Sequence, residues 1–483
     1  MLRLRRIIPT LLGAAALSSL FGASPALASH SQTTYFEANQ VLLSPATRPK
    51  AIAQMIHLGV HALRVELYWS DVAPGANNAT KPSFEATNPA SYAWGEYDAV
   101  IAEAARLHWQ VLLTVTSPAP RWATSNGKAP YVTRPDPKDF QEFMTAVGRH
   151  YGSQVSLYSI WNEPNHPAFL QPQWNSNGTP ASPRIYRGLY QAAYAGLLAA
   201  NVPNLKVLFG ETAPTGYDSV KSLIKIEHAK ALLHDVAPLE FLREALCLNS
   251  HYRKASSCEE LQMAGYAHHA YSLPAGPFYV PPERDDVMIG SLSRLTRALD
   301  LAAAAHAIPA HVPVYLTEFG VQSKPNKQLG VSVAQQAEFD AISERIAYNN
   351  SRVAAFSQYL LKDDPLGGPA GSSVRGGSVG FQTGLEYLSG APKPLYYGWP
   401  VPLTVSKGHG DSLWGLVRPA TGATKLTVLA LVGHSKHYRV LRTVTTNAAG
   451  YWAWHTSVKG RYFRVRWTSP EGVRYEGPPV KPY

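Results

Sequence analysis

The stretch Tyr158–Pro167, YSIWNEPNHP, ends an apolar run on an asparagine, a glutamate and a proline. Such a run reads as a strand whose last residues emerge from a core, and the proline after Glu163 turns the chain into a loop. Glu163 then faces either a cleft or plain solvent. The pattern on either side of it decides which. From about residue 34 to 400, short β-rich runs alternate with segments whose apolar residues recur at helical spacing, such as YDAVIAEAARLH and KDFQEFMTAVGRHYG. The runs are TYFEANQ, HALRVELYW, WQVLLTVTS, VSLYSIWNE, LKVLFGETA, GYAHHAYS, VPVYLTEFG and VAAFSQYLL. This order predicts an α/β chain folded as a (β/α)8 TIM barrel, whose functional groups gather at the C-terminal ends of the strands.

In that arrangement the ends of the fourth and seventh strands lie across one mouth from each other. Glu163 follows the fourth, and Glu318, in VYLTEFG, closes the seventh. Two carboxyls in one cleft suit cleavage of a glycosidic bond, where one protonates the leaving oxygen and the other attacks or activates water. The pairing carries this reading more than either acid does alone.

WNEPN after the fourth strand and TEFG after the seventh resemble the paired glutamates of the clan A glycoside hydrolases, and the resemblance extends over residues 34–400. It implies a retaining glycosidase that needs neither metal nor organic cofactor, with Glu163 as acid/base and Glu318 as nucleophile. LRVELYWSDVAP is similar to the clan's second strand, which makes Arg64 the support of the nucleophile. Asn162 matches the asparagine that meets the sugar 2-hydroxyl. HAYS is similar to the strand-six motif, which maps to His269 and Tyr271, the tyrosine lying beside the nucleophile. TSPAPRWA and the element order are most similar to family 39 and to family 5-like proteins of actinobacteria. Thr116 and Ser117 stand where family 5 enzymes usually carry a histidine, and SQYLLKDD stands where they carry a tryptophan, leaving Gln358 as the candidate pocket residue there.

Physical roles follow from these positions. Glu163 is expected to have its pKa raised by burial and by Glu318, while Arg64 and the Tyr271 hydroxyl keep Glu318 ionised. Glu66 shares the strand face of Arg64 by period-two alternation and offers a polar contact to sugar hydroxyls. Trp122 offers a stacking wall for a pyranose, and Glu211, in GETAPTG, a further cleft acid for subsite binding. Alternation turns His268 away from the face of His269, toward a structural role.

Composition bounds the rest. With 483 residues, 45% of them hydrophobic and 11% aromatic, the chain can bury a large barrel and a smaller companion. Arg3, Arg5 and Arg6, an apolar segment and ASPALA form a secretory signal over residues 1–28. The apolar segment is shorter than the roughly 20 residues a spanning helix requires. We therefore expect a secreted, extracellular protein with a barrel over residues 29–402 and no integral membrane segment once the signal is removed. Cys247 and Cys258, the two cysteines of the chain, are expected to form a disulfide, since HYRKASS between them offers too few further ligands for a metal.

The net charge of +11 is unevenly placed. Residues 402–483 hold twelve Lys and Arg against three Asp and Glu, and the signal adds three arginines, which leaves the barrel region near −1. A basic groove for nucleic acid is not indicated. After APKPLYYGWPVPL the pattern changes to short alternating runs such as TKLTVLALVG, YRVLRTVTT, YWAWHTSV and RYFRVRWTS, which predicts a small all-β, Ig-like sandwich over residues 403–483. Its excess of positive charge would suit an anionic cell-wall polymer, whereas Trp452 and Trp454 alternate with Ala453 as inward core residues do. The partner expected for the barrel is a carbohydrate substrate. The rival readings are a carbohydrate-binding protein without turnover and a wall-adhesion protein.

Overall fold

A computed structural model describes residues 32–365 and 380–483. The secretory signal expected over residues 1–28 lies outside the described residues. Eight parallel strands close into a barrel in sequence order. They are β1 (Thr33–Glu37), β2 (Ala62–Tyr68), β3 (Gln110–Thr116), β4 (Leu157–Ile160), β5 (Val207–Thr212), β6 (Gly265–His268), β7 (Val314–Leu316) and β8 (Val353–Tyr359). Seven fall within the runs read from the sequence, and β1 begins one residue before its run, at Thr33. Helices such as Pro137–Tyr151 and Ser182–Ala199 pack apolar faces on the outside of the barrel, joining one continuous core with the outward residues of the strands.

The barrel interior is layered, and the layering places the site. Tyr35, Ala62, Leu112, Leu157, Leu208, Ala267, Tyr315 and Ala355, one from each strand, form an apolar plug. Two residues further along, alternation brings Glu37, Arg64, Thr114, Ser159, His269, Thr317 and Ser357 to the same interior, all buried. The interior thus turns from apolar to polar within one layer. Buried polar groups are costly without partners, and in this layer Glu37, Arg64, Thr114 and His269 have them, whereas the hydroxyls of Ser159, Thr317 and Ser357 are buried without a hydrogen bond.

Past the barrel, β9 (Leu403–Lys407), β10 (Asp411–Leu416) and β13 (Tyr451–Thr456) form one antiparallel sheet in the order β13-β10-β9. A second sheet has the order β12-β11-β14-β15, with β11 (Lys425–Val432), β12 (Arg439–Thr445), β14 (Gly460–Thr468) and β15 (Arg474–Glu476). Val405, Leu413, Val428, Trp452, Phe463 and Trp467 are buried between the two sheets, so Trp452 is core. The sequence reading missed β9, whose LTVSK follows the Pro-rich stretch with too short an alternation to stand out.

The sheets are clamped to the barrel. Arg418 Nη2 bonds Glu344 Oε2 at 2.6 Å on the helix Val333–Tyr348, its Nη1 donates to Thr34 Oγ1 at 3.0 Å, and its Nε donates to the Trp399 carbonyl at 2.7 Å. Tyr348 of the same helix packs against Trp414 and Tyr451 at ring distances of 5.2 and 4.5 Å. Cys247 and Cys258 are joined in a disulfide. Among the described residues, no helix is long and apolar enough to cross a membrane.

Candidate active site

Arg64 is the hub of the polar layer. Its fully buried guanidinium donates from Nη1 to Glu37 and, at 3.1 Å, to Glu318 Oε2. From Nη2 it reaches Glu211 Oε2 at 2.6 Å, Asn162 Oδ1 at 2.9 Å and Glu66 Oε1 at 3.4 Å. Burial works against its charge, but Glu211, Glu37, Glu66 and Glu318 together outweigh burial and hold it protonated. One arginine thereby serves four carboxyls. Glu37 is pushed well above the carboxylate range by burial, in spite of Arg64.

The backbone at the ends of β4 and β5 aims two acids inward. Trp161 and Glu163 have φ of 69° and 36°, in the left-handed region that non-glycine residues rarely occupy. This curl sends Trp161 into the core and Glu163 over the barrel mouth, where the Glu163 N–H donates to the Glu211 carbonyl at 3.0 Å. A register shift between Gly210 and Thr212 leaves Glu211 as the extra residue, with φ of 51°. Gly210, at φ 118°, lies so close to the Ala267 carbonyl that a Cβ there would collide with it.

Above this floor the two glutamates meet. One carboxylate oxygen of each and one ring nitrogen of His269 all lie within 4.8 Å of one another. His269 Nδ1 is 2.9 Å from Glu163 Oε1 and 3.7 Å from Glu318 Oε2. Tyr271 donates its hydroxyl to Glu318 Oε1. The side chains of Glu163 and Glu318 keep 15% and 8% exposure, enough to be reached from the mouth, while those of His269 and Arg64 have none.

The free site is poised differently from the sequence expectation. Burial raises Glu163, but the hydrogen bond and charge of His269 outweigh it, and Glu163 lies below the usual carboxylate range. Glu318 is raised, because burial outweighs His269 and Arg64. His269 is itself raised: burial lowers it, and Glu318 and Glu163 more than restore it. The expectation neglected the proton that His269 brings to Glu163. The same three groups are the ones with metal-ligand spacing among the described residues.

Arg64, Asn162, His269 and Tyr271 all join the constellation expected of them. Glu66 joins it as well, accepting from the Tyr68 hydroxyl at 2.7 Å as well as from Arg64. Three placements differ from expectation. Glu211 is fully buried beneath the pair, where it accepts from Thr114 Oγ1 at 2.9 Å, so it belongs to the floor and not to a subsite. Gln358 is also fully buried; its amide donates to the carbonyls of Tyr359, Leu360 and Thr383 and braces the wall after β8. Trp122 packs edge-on against Trp69 and Phe84, with Lys81 Nζ 5.4 Å from its ring centre, so its half-buried ring is engaged in packing. His268 is structural, as alternation indicated: its nitrogens lie 2.9 Å from Thr212 Oγ1 and from the Val287 carbonyl, and burial pushes it down to about 4.

Sequence reasoning missed Glu37. Its signal was present, because β1 ends on an acid as β2, β4, β5 and β7 do within a few residues of their own ends. Beside the mouth, a cavity of about 660 Å³ is lined by Tyr217, Asp218, His234, Asp235, Glu283 and Asp286 among others. Asp235 approaches His166 Nε2 at 3.9 Å, three residues beyond Glu163. Burial pushes Asp235 up to about 6 and Asp286 up to about 7.

The sequence matches no family model and no curated protein. Among solved structures, a glucosidase from Croceicoccus marinus aligns over 89% of this chain and 94% of its own, with 11% identity and a TM-score of 0.51. A family 39 glycoside hydrolase from the gut symbiont Bacteroides cellulosilyticus WH2 aligns over 89% and 81%, with 13% identity and a TM-score of 0.49. At such identities the likeness to the Croceicoccus marinus protein is one of fold.

Proposed function

We propose that the chain is a secreted glycoside hydrolase that cleaves O-glycosidic bonds of a poly- or oligosaccharide with retention of anomeric configuration. The observation that carries this reading is the approach of Glu163 and Glu318, whose oxygens come within 4.8 Å across the mouth of a barrel. Retaining enzymes hold their carboxyls about 5–5.5 Å apart, whereas inverting enzymes leave room for a water at roughly 6.5–9.5 Å. The Croceicoccus marinus protein of the same fold is a glucosidase, which supports the reaction class.

Each group then has a task. Glu318, oriented by Arg64 and Tyr271, attacks the anomeric carbon as a carboxylate. Glu163 gives its proton to the departing oxygen as the C–O bond breaks, and a glycosyl ester forms on Glu318. Glu163, now a carboxylate, takes a proton from water, and that water opens the ester with a second inversion. His269 supplies the proton. In the free site it holds a proton toward Glu163, and transfer from Nδ1 to Oε1 gives neutral imidazole and the carboxylic acid that the first step needs.

Export is proposed from the N-terminal sequence, and a disulfide-bonded chain suits an oxidising compartment. The deciding experiment follows an aryl glycoside by NMR as turnover begins. Retention in the first-formed sugar is expected. Inversion would remove Glu318 as nucleophile, and inertness of a folded chain toward a broad glycoside panel would remove the enzymatic reading.

A further inference from the structure

Charge is segregated in this protein. On the four-stranded sheet, Val428 and Ala430 face the core, so Thr427 and Leu429 face outward with the residues paired to them. That register puts Arg464 beside Leu429, and Arg466 between Thr427 and Glu476. Glu476 accepts from Arg464 Nη1 at 3.1 Å, Arg466 Nε at 2.9 Å and Arg474 Nη2 at 2.5 Å. One carboxylate thus gathers three guanidiniums and leaves two charges uncompensated. The three side chains remain 31%, 36% and 57% exposed, so the excess is presented to solvent. Burial would raise Glu476, but the three arginines bring it down to about 2, so it stays ionised and keeps the array in place. Arg464 also lies over the Tyr438 ring at 4.9 Å, and Tyr462 is exposed on the same face.

The barrel mouth has the opposite sign. Five glutamates surround Arg64 and His269, and the adjoining cavity is lined by Asp218, Asp235, Glu283 and Asp286, with no Lys or Arg among the described residues. A polymer dense in carboxylates meets a fork array that matches it at the sheet and like charge at the mouth.

We propose that the outer face of this sheet docks a polyuronate-type glycan that the acidic mouth turns away, so that the polymer holding the protein and the polymer it cleaves are chemically different. Planar guanidiniums already held against one carboxylate are preorganised for others, and Thr427, Thr443 and Tyr462 offer hydroxyls and a ring face suited to sugars. The second half of this inference rests on the glycosidase reading; the docking half does not.

The test uses the full chain and polygalacturonate. Co-sedimentation should be strong at low salt and weak at high salt. Paired substitutions Arg464→Glu and Arg474→Glu should lower it at least several-fold in protein that keeps its circular dichroism. Glu476→Gln keeps an oxygen acceptor that can hold the array while removing the opposing charge, so binding should tighten; a mere structural clasp would instead lose stability with no gain in binding, which overturns the docking site. Stronger binding to duplex DNA or to anionic lipid vesicles than to polygalacturonate overturns the choice of partner. Hydrolysis of a neutral aryl glycoside should keep its KM in saturating polygalacturonate, and the polymer should not be shortened. Competitive inhibition or shortening defeats the separation of anchor and substrate. A chain that cleaves no glycoside loses that separation together with the glycosidase reading, while sedimentation still decides the docking half.

Discussion

His269 Nδ1 stands 2.9 Å from Glu163 Oε1, so the proposed acid and the imidazole share a proton. Such a pair titrates as a unit, and its productive form is the one in which the shared proton sits on Glu163. The basic limb of kcat/KM should therefore follow the raised His269 value, above its ordinary 6.5. The acid limb should follow Glu318, which must be ionised to attack and which burial raises above 4.5. His269→Ala leaves Glu163 to hold the proton alone, and the basic limb should move to lower pH. A pH–rate profile whose basic limb stays in place in this variant would falsify the shared-proton account.

Arg64 is the counter-charge for Glu37, Glu66, Glu211 and Glu318 in a site with almost no water access. Arg64→Met strands those acids, and breaking a buried ion pair of this kind costs about 3–5 kcal/mol. Arg64→Lys keeps the charge but not the fork that reaches several oxygens at once, so a smaller loss is expected. Urea denaturation of both variants measures the order; equal stability of the methionine variant and the parent would show that the network does not hold the floor together.

How much of this was legible depends on what each residue does. The eight strands could be read because period and turn residues are local properties, and Glu163 and Glu318 because each follows a strand that is otherwise apolar. Arg64, His269 and Tyr271 were reachable once those two acids fixed the interior face. Glu211 was misplaced because a bulge at Gly210 turns it downward, and alternation has no means of showing an extra residue. Trp122 and Gln358 were misread because their partners, Phe84 and Lys81 for one and the Thr383 carbonyl for the other, lie on other loops. The direction of the Glu163 shift depended on one 2.9 Å contact across the barrel, which no spacing in the sequence encodes.

The seam between barrel and sheets hangs on Arg418 and Glu344, whose side chains are 3% and 1% exposed. Arg418→Met leaves Glu344 buried without its partner and should destabilise by about 3–5 kcal/mol. Adding Glu344→Gln should return part of that loss, because the stranded charge is then gone. A double-mutant cycle by chemical denaturation gives the coupling; strict additivity would mean that the pair carries nothing.

Asp340, one turn before Glu344 on the same helix, has no hydrogen-bond partner for its buried Oδ1. Burial, with Glu344 adding to it, pushes its carboxyl from 3.8 up to about 7. A raised folded-state value favours folding fully below pH 3.8, and that contribution is lost as pH rises through about 7. Asp340→Asn cannot ionise and should raise Tm above pH 7 while changing it little near pH 4. A thermal-shift series over pH reads this directly, and a variant that gains nothing at the alkaline end would place the ionised Asp340 in solvent.

In the proposed reaction Glu163 and Glu318 are needed at different moments, which allows the two assignments to be separated. Glu163→Ala removes the proton donor, so substrates with poor leaving groups should lose nearly all turnover. General acid catalysis is typically worth about 10²–10⁴-fold. An aryl glycoside with an acidic phenol needs no proton to depart, so its first step should survive, and a glycosyl ester should accumulate on Glu318 because the base for its hydrolysis is gone. Mass spectrometry of the intact protein would show the added sugar. Glu318→Ala removes the nucleophile, and no leaving group should restore the retaining route. Added azide can then attack the opened anomeric face of the substrate and give a glycosyl azide of inverted configuration. If the phenol-bearing substrate is lost equally in both variants, or the ester forms in Glu318→Ala, the two roles have been assigned to the wrong residues.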